Sequence, residues 1–329
     1  MRFSKMLITK TEDKDMADKN KNVIVTGAAG FAGANLVMEL LDNETDVYAV
    51  VRPGSSHNTR LEEIDSDNLH IIPLEMDELE RLPSEIFERF PELSDEDASF
   101  DSFFHLMWGG DRNDFEVQKV NVEGSLHAVR AASIMGCRRF IGIGSQAEYG
   151  ATDKIMTETL APSPITAYGS CKAAACYMTK SLCASLGIEW VWGRIFSLIG
   201  RFEPRGRMIP DLLDRAQNGM KMNLSSCRQS WNYLDARDCA RALIAISTKG
   251  VSGEIYNITD GSCLTLRQYV ERANRWMLAR SGHMAELTYG DDPDPFISLK
   301  PDGNKLYTDT GWQPKVEFET SLKDYCDNL

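Results

Sequence analysis

The stretch VIVTGAAGFAGANL, residues 23–36, decides the fold of this chain. It runs from a short apolar segment through a glycine-rich turn into the start of a helix. Glycine lets the backbone of a tight turn come close to a ligand. The free N–H groups and partial positive charge at the start of the following helix favour phosphate. The G-x-x-G-x-x-G spacing therefore predicts a dinucleotide-binding turn built from Gly27, Gly30, Phe31, Ala32 and Gly33.

The residues that follow alternate short apolar runs with longer amphipathic segments. Strands are predicted at 22–26, 46–52, 69–74, 102–107, 139–144 and 189–196, and helices at 31–42, 114–136 and 165–186. Short buried strands that alternate with helices indicate a parallel sheet covered on both faces. Right-handed crossovers then give an α/β fold, a doubly wound parallel-sheet Rossmann domain with a smaller C-terminal substrate-binding lobe.

The domain boundaries follow from where this alternation weakens, beyond residue 196. Further helices are predicted at 208–219, 236–248 and 265–280. We expect a polar, mobile tail at residues 1–20, a Rossmann domain at 21–196 plus about 228–261, and a smaller lobe at 197–227 plus about 262–329.

The composition is that of an ordinary globular protein, with 43% hydrophobic residues, 26% charged residues and a net charge of −13. Without a basic run, a nucleic-acid partner is not expected. No apolar run approaches the about 20 residues that cross a membrane. Eight scattered cysteines without a C-x-x-C pair predict free thiols and no metal site. The first twenty residues lack the apolar stretch of a signal peptide, so the cytoplasm is the default location.

The end of the second predicted strand bears on the choice of cofactor. NAD-preferring sites usually place an acid there to hold the ribose 2′-hydroxyl. This chain has Arg52 instead, with no acid among residues 50–56. A guanidinium can pair with a 2′-phosphate, and Ser55 and Ser56 can add hydroxyl groups. We expect NADP(H) to be preferred and NAD(H) to be possible; the alternative is that Arg52 is a solvated surface residue.

A second motif, in ITAYGSCK (165–172), pairs Tyr168 with Lys172 on one face of a helix. A phenol has a pKa near ~10 and is a poor base at neutral pH. A neighbouring ammonium group and an oxidised nicotinamide favour the phenolate. Tyr168 could then exchange a proton with a substrate hydroxyl or ketone while a hydride moves. An isolated Y-x-x-x-K is more often structural, but its place one βα unit after GSQAEYG favours catalysis.

Taken together, these motifs resemble the extended short-chain dehydrogenase/reductase family, the NAD(P)-dependent epimerase/dehydratase group that acts mainly on nucleotide sugars. The resemblance covers nearly the whole chain from residue 22. It rests on TGAAGFAG (26–33), FFHLMW (103–108), NVEGSLHAVRAA (121–132), GSQAEYG (144–150), SPITAYGSCK (163–172), YLDARDCARAL (233–243), GEIYNITDG (253–261) and TGWQPKVEFETSL (310–322).

The resemblance implies a catalytic set of Ser145, Tyr168 and Lys172. The Ser145 hydroxyl would bond the reacting oxygen of the substrate, and Tyr168 would be the acid/base. Lys172 would lower the pKa of Tyr168 and hold the nicotinamide ribose. Further cofactor contacts are expected at Glu75, Met76, Leu106 and Met107.

The chain departs from the family pattern at two places. Family members that are 4,6-dehydratases carry an Asp-Glu pair where this chain has Gln146 and Ala147, so elimination is not expected. Many members also have an arginine that clamps the substrate diphosphate; Trp231 stands there, and Arg228 could substitute.

These residues favour an NADP(H)-dependent 4-ketoreductase of a nucleotide-activated sugar. An epimerase with retained NAD(P), a reductase of a non-sugar carbonyl compound and a non-catalytic NADP-binding regulatory protein are the alternatives. The intact catalytic set argues against the last. The partners expected are a small-molecule substrate and, by analogy alone, a second copy in a homodimer paired through helices 114–136 and 165–186. Substrate contacts are predicted at Trp108, Gln146, Tyr149, Arg207, Arg228 and Trp231.

Overall fold

The computed structural model describes residues 21–94, 100–291 and 298–328, so the predicted tail at residues 1–20 lies outside the described residues. The strands are β1 (Asn22–Thr26), β2 (Asp46–Val51), β3 (Leu69–Pro73), β4 (Phe100–His105), β5 (Arg139–Ser145), β6 (Glu189–Ile195), β7 (Leu198–Ile199), β8 (Lys221–Leu224), β9 (Ser230–Trp231), β10 (Leu234–Asp235), β11 (Ile255–Ile258), β12 (Leu264–Thr265) and β13 (Glu286–Tyr289). The helices are α1 (Phe31–Leu41), α2 (Thr59–Glu62), α3 (Leu82–Arg89), α4 (Phe115–Ile134), α5 (Ala167–Leu186), α6 (Met208–Gln217), α7 (Ala236–Thr248), α8 (Leu266–Ser281), α9 (Asn304–Thr310) and α10 (Phe318–Asp327).

A seven-stranded parallel sheet in the order β11-β6-β5-β4-β1-β2-β3 forms the larger unit, which confirms the predicted α/β Rossmann fold. The strand order reverses between β1 and β4, and ligands of such sheets bind in the crevice beyond the carboxyl ends at that point. Thr26 pairs with His105 in this register. The glycine turn after β1 and the segment after β4 therefore leave the sheet side by side.

An apolar core lies on each face of this sheet, so its inner strands are buried almost throughout. All seven residues of β5 are buried. Helices α1 and α7 pack together on one face, and α4 and α5 pack together on the other. This arrangement carries α5, the helix of the Y-x-x-x-K motif, to the end of β5.

The smaller unit has a core of its own between α6, α8 and α10. The parallel pair β8–β13 borders it, and β9 pairs antiparallel with β12. Sequence patterning predicts α6 and α8 but misses α9, α10 and these short strand pairs. Each of those elements is brief and is stabilised by partners distant in the sequence, so periodicity gives little signal for it.

Local hydrogen bonds explain where some observed boundaries differ from the predicted ones. The strand predicted at 102–107 spans 100–105, because Leu106 leaves the sheet after donating to the Thr26 carbonyl at 3.1 Å. The helix predicted from 165 begins at 167, because the Thr166 side chain caps it by accepting from Gly169 N.

Within the described ranges, no helix combines the length and apolarity needed to cross a membrane. The same residues contain no group of three or more His, Cys, Asp or Glu side chains placed to hold a metal ion.

Candidate active site

The glycine turn after β1 forms a cradle that side chains would fill. Gly27 has φ +68°, and a Cβ there would lie 2.7 Å from Met107 N. A Cβ on Gly33 would collide with the Gly27 carbonyl oxygen. Gly30 is the N-cap of α1 and has no side chain to occupy the N–H groups of the first turn. Backbone donors beside open space at a helix N-terminus fit the pyrophosphate of a dinucleotide.

A cavity of about 310 Å³ extends from this turn along the carboxyl ends of β1, β2 and β4. It contains most of the residues predicted to bind cofactor, and it contains Ser55, which the sequence analysis names as a hydroxyl for a 2′-phosphate. It adds Ala29, His57 and Asn58, which the sequence did not predict. Phe31, Ala32, Gly33, Ser56, Tyr168 and Lys172 are not among its lining residues. The predicted residues that line the cavity are Gly27, Gly30, Arg52, Glu75, Met76, Leu106, Met107 and Trp108.

Arg52 lines the β2 end of the cavity, and Arg60 lies near it. Arg52 is largely exposed, and its Nε lies 3.9 Å from Glu75 Oε2. Arg60 donates to the Ala29 carbonyl at 3.0 Å. The pKa of His57 is lowered by burial and by the charges of Arg60 and Arg52. Glu75 also stands within reach of Arg52 at this end of the cavity.

Ser145 and Tyr168 meet at the carboxyl end of β5. Ser145 is the last residue of β5, and its hydroxyl lies against the phenol of Tyr168 and lowers the pKa of that phenol. The Arg112 guanidinium lies 4.2 Å from the centre of the Tyr168 ring, and its charge acts in the same direction. Burial outweighs both, so the pKa of Tyr168 is raised. Sequence reasoning missed Arg112, which lies in a loop with no motif.

Lys172 lies one turn further along α5 than Tyr168, but its ammonium group is directed toward the Ile143 carbonyl and the Trp108 ring. Lys172 Nζ donates to the Ile143 carbonyl at 2.6 Å and lies 3.7 Å from the centre of the Trp108 ring. The centre of the Tyr168 ring is 6.0 Å away. Burial lowers the pKa of Lys172 to about 7, against the opposing charge of Glu148. The structure thus brings the three predicted catalytic residues together, and their roles remain predictions.

Glu148, which the sequence left without a role, lies beneath Ser145. Its carboxylate accepts from Ser145 N at 2.9 Å, from Trp192 Nε1 at 3.0 Å and from Arg194 Nε at 2.8 Å. Ser145 and Glu148 form a capping box around the turn that follows β5. The S-x-x-E spacing of that box was the signal that sequence reasoning overlooked. A carboxylate occupied in this way serves to position Ser145.

The predicted substrate contacts fall in different environments. Tyr149 is 1% exposed and donates to Asn257 Oδ1 at 2.7 Å, which places it in a buried cluster rather than on a pocket wall. Trp231 is half-buried and packs against that cluster. Gln146 is half-buried directly after Ser145, and Arg228 is exposed before β9.

Arg207, another predicted substrate residue, lies close to the start of α1. It is the N-cap of α6 and is exposed. Its guanidinium is 5.9 Å from the centre of the Phe31 ring, at the start of α1. Its charge also acts on the phenol of Tyr168. Arg207 therefore stands between the glycine turn and the smaller unit.

Comparison with known proteins identifies the family of the chain. A family model described as the NAD dependent epimerase/dehydratase family matches residues 23–259. A mouse dTDP-D-glucose 4,6-dehydratase is 26% identical over 326 residues, covering 92% of this chain and 87% of the relative. The structure of MoeE5 in complex with UDP-glucuronic acid and NAD has a TM-score of 0.76 at 23% identity, covering 93% of this chain and 98% of that one. A UDP-glucose 4-epimerase from Thermotoga maritima has a TM-score of 0.78 at 22% identity, with the same coverage. The chain belongs to the NAD-dependent epimerase/dehydratase family and is an enzyme of the extended short-chain dehydrogenase/reductase type.

Proposed function

We propose that the protein is an NADP(H)-dependent oxidoreductase that reduces the 4-keto group of a nucleotide-activated sugar. The observation that carries the proposal is that Ser145 meets Tyr168 at the end of β5, with Lys172 one turn along α5. Lys172 contacts Trp108, which lines the cavity of the glycine cradle. The sugar-nucleotide part is supported by its relatives, whose names include a dTDP-D-glucose dehydratase and a complex with UDP-glucuronic acid.

A nicotinamide cofactor held at the glycine cradle would supply the hydride that reduces the carbonyl carbon. The Tyr168 hydroxyl donates its proton to the carbonyl oxygen, and the Ser145 hydroxyl donates a hydrogen bond to the same oxygen. The positive charges of Lys172 and Arg112 stabilise the phenolate until solvent returns the proton. Because the pKa of Tyr168 is raised, its phenol stays protonated at neutral pH, which suits a proton donor in the direction of reduction.

An elimination step is not part of the proposal, although the mouse relative is named a 4,6-dehydratase. Removal and return of protons at neighbouring sugar carbons needs titratable groups beside the catalytic hydroxyl. Gln146 and Ala147 offer none. Glu148, the next residue, is held in its buried pair with Arg194.

The preference for NADP(H) rests on Arg52, which lines the β2 end of the cavity, with the charge of Arg60 nearby. A second candidate, an epimerase that retains NAD(H), is favoured by the NAD-dependent family and by the NAD in the MoeE5 complex. Glu75 is the acid that could hold a ribose hydroxyl in that case, because it lies near Arg52.

For the substrate, Arg207 and Arg228 are the cations that we propose for the diphosphate, with Gln146 and Trp108 near the sugar. Trp231, half-buried beside the Tyr149 cluster, would line the far wall. A non-sugar carbonyl substrate is an alternative that the position of Trp231 keeps open. A homodimer and a cytoplasmic location are also part of the proposal, the first supported by apolar side chains exposed on α4 and α5.

One experiment separates these candidates. The purified protein is denatured, and any released nicotinamide cofactor is measured by absorbance. The native protein is then mixed with NADPH or NADH and a nucleotide-linked 4-keto-6-deoxy sugar, or a simple ketone as a control. Consumption of NADPH with the sugar nucleotide supports the reductase. Retained oxidised cofactor, with C4 epimerisation of a nucleotide sugar that carries a C4 hydroxyl group and no net consumption of added cofactor, supports the epimerase. Consumption with the simple ketone alone contradicts both.

A further inference from the structure

Trp108 lies between the two residues of the Y-x-x-x-K pair and the cofactor cavity. The face of its ring is 3.7 Å from Lys172 Nζ, measured to the ring centroid. Its edge meets the Tyr168 ring, with the centroids 6.2 Å apart and the planes at 87°.

The Trp108 ring is held in place by a buried glutamine. Trp108 Nε1 donates to Gln118 Oε1 at 2.8 Å. Gln118 is fully buried on α4 and donates through Nε2 to the Gly109 carbonyl at 3.2 Å and to the Asp111 carbonyl at 2.9 Å. The indole therefore cannot turn without breaking a buried hydrogen bond, and its face stays over the amine.

The surroundings of Lys172 leave its charge poorly compensated. Glu148 is the acid that acts on it, and that carboxylate is already paired with Arg194. His105, on β4, has its pKa lowered to about 3 by burial and by the charge of Lys172, so it is neutral. Tyr168 is a neutral phenol. The Ile143 carbonyl accepts one hydrogen bond from the ammonium group. A further interaction that favours the charged form would decide whether the amine is protonated near neutral pH.

We propose that Trp108 is a positioning residue that keeps Lys172 in its ammonium form through a cation–π contact, with Gln118 fixing the plane of the indole ring. The face of an aromatic ring attracts a cation, most strongly for tryptophan and most strongly where water is excluded. The contact stabilises the charged amine over the neutral one, so it raises the pKa of Lys172. The consequence for catalysis rests on the proposed function: the ammonium charge, together with that of Arg112, stabilises the Tyr168 phenolate after proton transfer.

The test measures the pKa of Lys172 directly in the full chain without cofactor. The protein is labelled with ¹⁵N at the lysine side-chain nitrogen and titrated by NMR, and the resonance is assigned by its loss in Lys172→Met. The wild type, Trp108→Phe and Trp108→Leu are compared. We expect the pKa to fall in that order, by about one unit for Trp108→Leu, because phenylalanine keeps a weaker face and leucine has none. Gln118→Met, which frees the ring, should lower the pKa by less than Trp108→Leu.

Trp276→Leu is the matched control, because that tryptophan lies on α8 and its cationic neighbour is Arg280. It should leave the Lys172 titration unchanged. Equal pKa values in the wild type and both Trp108 variants, or a higher value in Trp108→Leu, would overturn the proposal. If Trp108→Leu does not fold, wild-type protein grown with fluorinated tryptophan replaces it. Fluorination weakens the attraction of the ring face for a cation, so it should lower the pKa of Lys172. An unchanged pKa of Lys172 would contradict the proposal. No substrate is present, so this result and the outcome for the reductase are independent.

Discussion

Arg194 Nε lies 2.8 Å from Glu148 Oε2, and both side chains are almost completely shielded from solvent. Parallel pairing of β5 with β6 sets Gly144 opposite Arg194, so the guanidinium lies beside the turn that follows β5. A Cβ on Gly144 would collide with both Glu148 Oε1 and Trp192 Nε1. The ion pair therefore fills the space beneath Ser145 and fixes the backbone that presents its hydroxyl.

Glu148→Gln should lower the free energy of unfolding by about 3 kcal/mol, because the substitution leaves the Arg194 charge buried without its partner. It should also reduce kcat, since Ser145 N loses a charged acceptor. Chemical denaturation followed by tryptophan fluorescence measures the first effect. Glu88→Gln is the control, because Glu88 is exposed, and it should change stability by less than about 0.5 kcal/mol. If Glu148→Gln also lowers the free energy of unfolding by less than about 0.5 kcal/mol, the Glu148–Arg194 pair is unimportant for stability.

The protein should not convert dTDP-glucose or UDP-glucose into the 4-keto-6-deoxy product. Gln146 and Ala147 cannot exchange protons with a sugar, and Glu148 is engaged beneath them. Mass spectrometry of the nucleotide sugar after incubation with added NAD measures the loss of water. A 4,6-dehydratase relative, run in parallel, is the positive control. A product that is one water lighter would refute this point.

Arg52→Ala should lower kcat/KM for NADPH by about tenfold to a hundredfold and leave kcat/KM for NADH nearly unchanged. A hydrogen bond to a charged group is worth about 1.5–3 kcal/mol, and only NADPH has the 2′-phosphate that Arg52 would hold. Arg81→Ala removes another exposed arginine, which is paired with Glu78 and Glu85, and should not alter the preference. A wild type that prefers NADH would contradict the expectation.

The rate of reduction should decline as pH rises through the pKa of Lys172. Burial lowers that pKa to about 7, so the amine is charged below it and neutral above it. The neutral amine no longer stabilises the Tyr168 phenolate, whereas Tyr168 itself stays protonated over this range because its pKa is raised. A profile of kcat against pH shows the decline, and Lys172→Met should abolish it along with most of the activity. A wild-type profile that is flat from acid to alkaline pH argues against this role.

Val120→Arg combined with Tyr177→Arg should convert the proposed dimer into monomers. Val120 on α4 is 49% exposed and Tyr177 on α5 is 53% exposed, and burying either new charge in an interface costs several kcal/mol. Analytical ultracentrifugation measures the oligomeric state. Met220→Arg, an equally exposed apolar position next to β8, is the control and should remain dimeric. A wild type that sediments as a monomer rules the dimer out.

The sequence was sufficient for the parts of the site that depend on local pattern. The glycine turn, the strand–helix alternation and the spacing of Tyr168 and Lys172 are set by residues close together in the chain. Backbone geometry then forces the turn into the crevice between β1 and β4.

The contacts that decide charge could not be read in the same way, because they join separate elements. Glu148 meets Arg194 only through the register of β5 with β6. Tyr149 is buried with its hydroxyl donating a hydrogen bond to Asn257, on β11. The Lys172 amine lies closer to the ring of Trp108, which follows β4, than to the ring of Tyr168, with which it shares a motif.

Deuteride transfer tests the central claim most directly. The protein is incubated with NADPH carrying deuterium at both hydrogen positions of nicotinamide C4 and with a nucleotide-linked 4-keto-6-deoxy sugar, and the product is analysed by NMR and mass spectrometry. For the proposed reductase, we expect one deuterium at C4 of the sugar. The rate should be at least about a hundredfold lower in Tyr168→Phe, because this variant keeps the ring but loses the proton donor. A product without deuterium at C4, or a fully active Tyr168→Phe, would contradict it.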